Sequence, residues 1–188
     1  MITPRNRLSI LLLAISLFSQ GILDAQSIQF KKYVNQAYHF SFDIPSYWTI
    51  RFNKDQGGLI CVPLTKQEME KYKDCFEGIV FRMELFNSNL DSTLATEGVY
   101  TKVGDTYYTT DRTRDSVKSQ NIKGSSWNGI YHDNVCGIMC ADGFHAAAGQ
   151  CEFMYFSNGK TTVCINTNGR ELDDAVLKKL LNSFRFYQ

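Results

Sequence analysis

The sequence predicts an α+β domain, and three observations support that class. Several short segments alternate apolar and polar residues as half-buried strands do, an Asn-Gly pair joins two of them, and an amphipathic helix follows near the end of the chain. Of the 188 residues, 26–188 are predicted to form one domain, which is long enough to bury a core of its own.

The first 25 residues have the pattern of a secretory signal peptide. Arg5 and Arg7 precede an apolar run at residues 8–18, and small and polar residues then lead to Ala25. The run is too short for a membrane-spanning helix, which needs about 20 apolar residues. We therefore expect cleavage after Ala25, or less favourably after Gly21, and a secreted or periplasmic product without a membrane anchor.

The charge balance excludes two classes of partner. The chain has 20 basic and 19 acidic residues, and loss of the signal removes Arg5, Arg7 and Asp24, which leaves equal numbers of each. Nucleic-acid binding and charge-driven membrane binding both require a positive field that this composition does not supply. No signal for an oligomeric state is present.

The first half of the domain is rich in strand patterns. The alternation of Phe40, Phe42 and Ile44 with polar residues is typical of a strand with one buried face. The predicted strands are 38–45, 48–52, 59–64 and 78–86, and the predicted helices are 67–73, which begins with a capping box, and 90–103. Residues 110–124 are polar and match neither pattern.

The second half predicts three strands and the closing helix. The strands are 126–132, 150–156 and 161–167, and the last two are joined by Asn158-Gly159 as a two-residue turn. That register places Cys164 opposite Phe153. Asn168 is expected to cap a helix that runs through Ser183, with apolar residues at helical spacing.

Export makes disulfides the first expectation for the six cysteines, because they meet an oxidising compartment. The candidates are Cys61, Cys75, Cys136, Cys140, Cys151 and Cys164. The preferred pair is Cys61–Cys75, and the other four are expected to pair among themselves in an open order. In the predicted register Cys151 and Cys164 are diagonal neighbours, about 7–8 Å apart, so only a bulge would let them bond.

A tetrahedral zinc site is the chemical alternative for the same stretch. Two imidazoles and two thiolates fall within 14 residues, at His132, Cys136, Cys140 and His145. A secreted hydrolase with a cysteine nucleophile and a histidine base is the related enzymatic hypothesis for residues 132–151. No catalytic motif is present, and no catalytic residue or cofactor is assigned.

Residues 127–150 are the predicted functional surface. They are rich in Gly and Ala, lack the periodicity of a core element and are expected to form an exposed loop. The candidate binding residues on it are Trp127, Tyr131, Asp142 and Phe144.

Two stretches resemble the ends of PsbP-like and Mog1-like proteins. Residues 38–48, with an aromatic residue, Phe-Ser, an apolar residue, Pro and Trp in order, resemble the opening strand and turn, and residues 177–186 resemble the closing helix and Ser-Phe-x-Phe strand. The resemblance implies an antiparallel β-sheet flanked by helices on both sides, an α/β/α sandwich. It also implies a non-enzymatic module that binds a protein partner or assists assembly.

The expected function is therefore that of an exported, disulfide-stabilised domain that binds a protein partner as an adaptor, assembly factor or inhibitor. The alternatives are the secreted or metal-dependent enzyme described above and a carrier of a small apolar ligand, which requires a cavity between sheet and helix.

Overall fold

The computed structural model describes residues 28–53, 57–62, 80–140 and 142–187, with only the backbone of 52, 53, 80, 139 and 140. The predicted signal peptide, the helix expected at 67–73 and Cys75 lie outside the described residues.

The described part contains thirteen strands and two helices. The strands are β1 Phe30–Asn35, β2 Phe40–Pro45, β3 Thr49–Asn53, β4 Gly57–Cys61, β5 Val80–Phe86, β6 Thr101–Val103, β7 Thr106–Thr110, β8 Ser116–Lys118, β9 Gln120–Lys123, β10 Asn128–Cys140, β11 Gly143–Ser157, β12 Thr162–Asn166 and β13 Arg185–Phe186. The helices are α1 Leu90–Glu97 and α2 Asp174–Ser183. Neither described helix has the length and apolar character needed to cross a membrane.

The strands form one large sheet and two small ones. The large sheet has the order β3-β4-β5-β12-β11-β10-β9, and the small sheets are β1-β2-β13 and β6-β7-β8. Neighbouring strands are antiparallel in all three. The predicted antiparallel α+β class is confirmed.

One face of the large sheet is covered by β1-β2-β13 and α2. The predicted alternation on β2 is observed, since Phe40, Phe42 and Ile44 are all buried, although the neighbouring Ser41 is buried as well. Phe184 follows α2 and stacks on Phe156 of the large sheet, with ring centroids 3.9 Å apart. The closing strand β13 pairs with β2, so both stretches that resemble the PsbP-like ends lie in one layer.

The opposite face is covered by α1 and by β6-β7-β8. Leu94 of α1 and Tyr107 of β7 pack against Ile130, Tyr155 and Cys164 of the large sheet. Each face therefore carries one helix and a small sheet, and the expected flanking by helices is confirmed only in part.

The predicted helix 90–103 is wrong beyond Glu97. Gly98 adopts the left-handed conformation, with φ 70°, and ends α1. The following residues include Val99, Tyr100 and Val103, which favour extended backbone, and residues 101–103 pair with β7.

Two local predictions near the end of the chain are also corrected. The β11–β12 connection has four residues, because the N–H of Asn158 donates to the carbonyl of Thr161, and this shift places Cys164 opposite Tyr155. The N-cap of α2 is Asp173, whose carboxylate accepts the N–H of Ala175 at 2.8 Å. Asn168 lies in the preceding turn, with φ 53°.

Candidate functional site

The long hairpin β10–β11 extends beyond its neighbours in the large sheet. β9 pairs with β10 only as far as Tyr131, and β12 pairs with β11 only from Phe153 onward. Residues 132–152, which we call the arm, therefore project as a two-stranded ribbon. Within the described part, the arm is flanked by turns and not by strands. The turn after β7 contacts β10, where the N–H of Arg112 donates to the carbonyl of Val135 at 3.2 Å, and the turn after β12 contacts β11, where the N–H of Gln150 donates to the carbonyl of Gly169 at 3.4 Å.

A disulfide crosslinks the two strands of the arm. Cys136 and Cys151 are bonded, with their Cα atoms 5.7 Å apart. Cys136 lies opposite Gly149 and Cys151 lies opposite Asn134, so the bridge is diagonal. A bulge beside it, in which the three alanines 146–148 stand opposite Gly137, disturbs the regular spacing that normally keeps diagonal cysteines apart.

The outer part of the arm presents an aromatic side chain. Phe144 is 52% exposed, and its ring lies so close to Gly137 that a Cβ atom at that position would overlap it. Arg112 lies on the turn after β7, and its guanidinium carbon is 5.7 Å from the Phe144 ring centroid. The bulge residues 146–148 are exposed next to it.

A cleft of about 520 Å³ opens at the base of the arm, within the range of ligand sites. Its floor is one face of β10 and β11, on which His132, Asn134 and Phe153 project to the same side as the disulfide. Its other walls come from the end of α1 with the following Tyr100, the end of β7 and the turn after β12.

Four side chains form a hydrogen-bonded chain beneath the cleft. The Tyr100 hydroxyl donates to the Tyr155 hydroxyl at 3.1 Å and is 2.9 Å from Nε2 of His132. Tyr155 in turn hydrogen-bonds Cys164, its direct cross-strand partner. Burial raises the pKa of both tyrosines and of the Cys164 thiol, so all three keep their protons.

This chain determines the tautomer of His132. Since the Tyr100 proton points to Tyr155, the Tyr100 oxygen accepts from Nε2–H of His132. Burial lowers the pKa of His132 to about 4, against a smaller opposing effect of Asp133, so the imidazole is neutral at pH 7. A neutral imidazole with a protonated Nε2 leaves Nδ1 as a hydrogen-bond acceptor.

Two acceptors at the cleft lack a hydrogen-bond donor in the described part of the chain. They are Nδ1 of His132 and Oδ1 of Asn134. The His132 residue is 2% exposed, and Asn134 lies two residues further along β10 on the same face. Buried polar atoms in native proteins normally have partners, so such a pair marks a place where a ligand or water completes the network.

The structure does not form the expected Cys61–Cys75 bridge. Cys61 is a free, half-buried thiol at the end of β4, and Cys75 lies outside the described residues. Cys164 is a free thiol buried against Tyr155, and in the observed register it lies four residues along the chain from the position that would face Cys151, roughly 13 Å away. The Cys140 side chain is not described.

Three of the four proposed zinc ligands, His132, Cys136 and His145, do not converge, and the side chain of the fourth, Cys140, lies outside the described part. Cys136 is bonded to Cys151, His132 faces Tyr100, and His145 pairs with Asp142 at 2.8 Å on the exposed tip of the arm. Among the described residues, no group of three or more His, Cys, Asp or Glu side chains is placed to hold a metal ion. The strand partner of His145 is Ile138, which is six positions along extended β10 from His132, so the histidines are roughly 20 Å apart along the strand.

The four predicted surface residues divide into two groups. Asp142 and Phe144 are exposed on the arm. Trp127 is buried, and its Nε1–H donates to the carbonyl of Phe184 at 2.8 Å, so it belongs to the core. Tyr131 is half-buried and donates to Glu152 at 2.9 Å, and the expected loop at 127–150 is the β10–β11 hairpin.

Sequence reasoning missed Glu152 and Tyr100. Glu152 is 3% exposed, and its carboxylate accepts from Tyr131 and, at 2.9 Å, from the N–H of Leu172, which ties the arm to the start of α2. Burial raises the pKa of this carboxyl. The acidic residue at a position expected to face the core was a usable signal for Glu152, whereas Tyr100 was hidden inside a predicted helix.

Comparison with known proteins gives structural neighbours but no family. No family model matches the sequence, and no curated protein matches it. A crystal structure of a protein from Bacteroides thetaiotaomicron VPI-5482 is 13% identical, with a TM-score of 0.42, over 85% of this chain and 49% of that one, so this chain spans about half its length. The solution structure of cyanobacterial PsbP from Synechocystis sp. PCC 6803 is 10% identical, with a TM-score of 0.46, over 87% of this chain and 96% of that one. A PsbP protein is thus among the similar structures, as the terminal stretches led us to expect.

Proposed function

We propose that this protein is an exported, non-enzymatic domain that binds a protein partner through the arm and the mouth of the adjoining cleft. The observation that carries the proposal is the arm itself, a ribbon that extends past its sheet and exposes an aromatic side chain.

The disulfide supports a binding role for the arm. A two-stranded hairpin without further strands is marginally stable in water, and the Cys136–Cys151 crosslink lies on the part of the arm beyond the last residues that β9 and β12 pair with. The crosslink holds the outer strands in one arrangement before a partner arrives, which lowers the entropic cost of binding.

The exposed surface of the arm has the composition of an interface centre. Phe144 lies against Gly137 and next to Arg112, and aromatic and arginine side chains dominate binding energy in protein interfaces. The neighbouring alanines at 146–148 are small, so a partner can approach the backbone of the bulge closely.

The state of the cysteines supports binding without chemistry. One of the two sulfurs that the enzymatic hypothesis offers as nucleophile or zinc ligand, that of Cys136, is in the disulfide, and the side chain of the other, Cys140, is not described. The Cys164 thiol is buried, and its raised pKa keeps it in the unreactive protonated form. The disulfide also favours the exported location that the signal-like first 25 residues predict.

Site-specific photocrosslinking in the producing organism tests this proposal. A benzoylphenylalanine introduced at Ala147, beside Phe144, is expected to give one discrete crosslinked product that is lost when Phe144→Ser is added. The matched control carries the crosslinker at Asn182, an exposed residue of α2, and is expected to lack that product. Equal products from both positions, or a product at Ala147 that survives Phe144→Ser, would rule out the arm as the binding surface.

A further inference from the structure

The unsatisfied polar groups of the cleft share one chemical character: they accept hydrogen bonds. His132 contributes Nδ1 and Asn134 contributes Oδ1, and neither has a donor among the described residues. Both residues line the cleft and project from the same face of β10.

The same side of the sheet also carries uncompensated negative charge. Glu97 lines the cleft at the end of α1, and its pKa is raised by partial burial and by the carboxylate of Glu84. Glu84 lies on β5 opposite Cys164. In the described part, no basic side chain is within ion-pair distance of Glu84 or Glu97; Arg112, at the rim, faces the Phe144 ring instead.

From these groups we infer that the cleft binds the cationic side chain of an arginine or lysine presented by the protein partner. A guanidinium or ammonium group supplies several N–H donors and a positive charge, which match the two bare acceptors and the Glu97 carboxylate that lines the cleft. The inference rests on the proposed function, since the cleft opens beside Phe144 and a partner on the arm covers its mouth.

The hydrogen-bonded chain below the cleft prepares this site. Tyr155 directs the Tyr100 hydroxyl proton, the Tyr100 oxygen holds the Nε2–H of His132, and Phe153 stacks on the imidazole with centroids 4.9 Å apart. Nδ1 is thereby fixed as an acceptor in one ring orientation. A preorganised acceptor loses little entropy when a donor binds.

NMR titration of the full chain labelled with ¹⁵N-histidine tests the inference directly. N-acetyl-arginine amide is the probe, and N-acetyl-citrulline amide is its neutral counterpart of nearly the same shape. We expect the Nδ1 resonance of His132 to move saturably with the arginine probe while Nε2 stays protonated, and the exposed His39 and His145 to stay unchanged. The affinity of the citrulline probe is expected to be lower by a factor of about ten or more, because the charge is lost.

Two substitutions locate the binding group. Asn134→Leu and Glu97→Gln are each expected to weaken the arginine probe about tenfold, and Asn182→Leu, on the exposed side of α2, is expected to leave it unchanged. If Asn134→Leu does not fold, Glu97→Gln still decides, since Glu97 is a surface residue. The absence of a saturable His132 shift, or equal binding of both probes, would overturn the inference.

The titration and the crosslinking experiment test separate claims, so a negative result in one is distinguishable from a negative result in the other. Binding of the arginine probe without a crosslink at Ala147 leaves the cationic site and removes the arm as the partner surface. A crosslink that depends on Phe144 without binding of the probe leaves the proposed function and removes the cationic subsite.

Discussion

At the scale of single residues, His132 differs from the other two histidines because it is enclosed. Its ring stacks on Phe153 and meets the edge of Tyr100, whereas His39 and His145 are exposed. Burial removes water from the charged form, which is why the folded protein keeps the imidazole neutral down to about pH 4. The unfolded chain takes up the same proton near pH 6.5.

This difference predicts a loss of stability in acid. As pH falls from about 6.5 to about 4, His132 becomes protonated in the unfolded state but stays neutral in the folded state. The contribution of this residue therefore lowers the free energy of unfolding by up to about 3 kcal/mol. His132→Gln removes the titrating group and is expected to flatten that part of the pH dependence. Urea unfolding at about pH 7 and about pH 4.5 measures the difference.

His145→Gln serves as the control, because His145 is exposed at the tip of the arm. It is expected to keep the pH dependence of the unmodified protein. The raised pKa of Glu152 has the opposite effect on the pH dependence, since the folded protein binds this proton more tightly and gains stability as pH falls. Glu152 is present in every variant, so its contribution cancels when the variants are compared. Equal slopes for His132→Gln and the unmodified protein would contradict the prediction.

At the scale of elements, the arm is a strand pair with weak strand-forming character of its own. Its outer residues include Gly137, Gly143 and the alanines 146–148, which pack little area. The pairing is supported by the Cys136–Cys151 bond and by Ile138, whose side chain fits over Gly149 and Gly169 so closely that a Cβ on either glycine would overlap it. Tertiary contacts therefore supply what local propensity does not.

Removal of the bridge is expected to destabilise the protein. Cys136→Ser combined with Cys151→Ser opens a loop of sequence separation 15, which corresponds to about 3 kcal/mol of lost unfolding free energy, measured by urea denaturation. Hydrogen exchange of Gly137, Ile138 and residues 143–145 is expected to accelerate more than that of β12. Cys61→Ser, at a free thiol, is the control and should change the unfolding free energy little; an equally small effect of the double variant would show that the bridge does not support the arm.

At the scale of the whole molecule, Phe184 joins two layers of the fold. Its ring lies parallel to those of Phe156 on the large sheet and of Phe40 and Phe42 on β2, and its carbonyl accepts the indole N–H of Trp127. Aromatic rings bury a large apolar area each, so this stack helps to hold the small sheet against the large one.

Truncation of this ring is expected to be among the most damaging single changes. Phe184→Ala should lower the free energy of unfolding by about 3–5 kcal/mol, because the ring is fully buried and its neighbours belong to separate elements that cannot easily close the cavity. Thermal and urea unfolding provide the measurement. Phe144→Ala is the matched control, since that phenylalanine is 52% exposed, and a similar loss for both variants would contradict the assignment of Phe184 to the core.

The sequence by itself determined the α+β class, β2, β5, the inner halves of β10 and β11, β12 and the body of α2. In these segments the apolar residues follow the period of one element, so local spacing carries the information. It also identified Phe144 and Asp142 as exposed and Cys136 and Cys151 as disulfide candidates, but not which cysteine each would meet.

The tertiary structure alone decided the features that depend on residues far apart in the chain. The pairing of Cys136 with Cys151 depends on a bulge that the local sequence pattern does not predict. The assignment of Nδ1 of His132 as an acceptor depends on Tyr100, which is 32 residues away in the chain. Trp127, expected at the surface, is buried because Phe184 returns to it from the end of α2. Local spacing fixes which face of an element is apolar, whereas the partner of each side chain depends on how the layers close, and that is where the cleft and its chemistry arise.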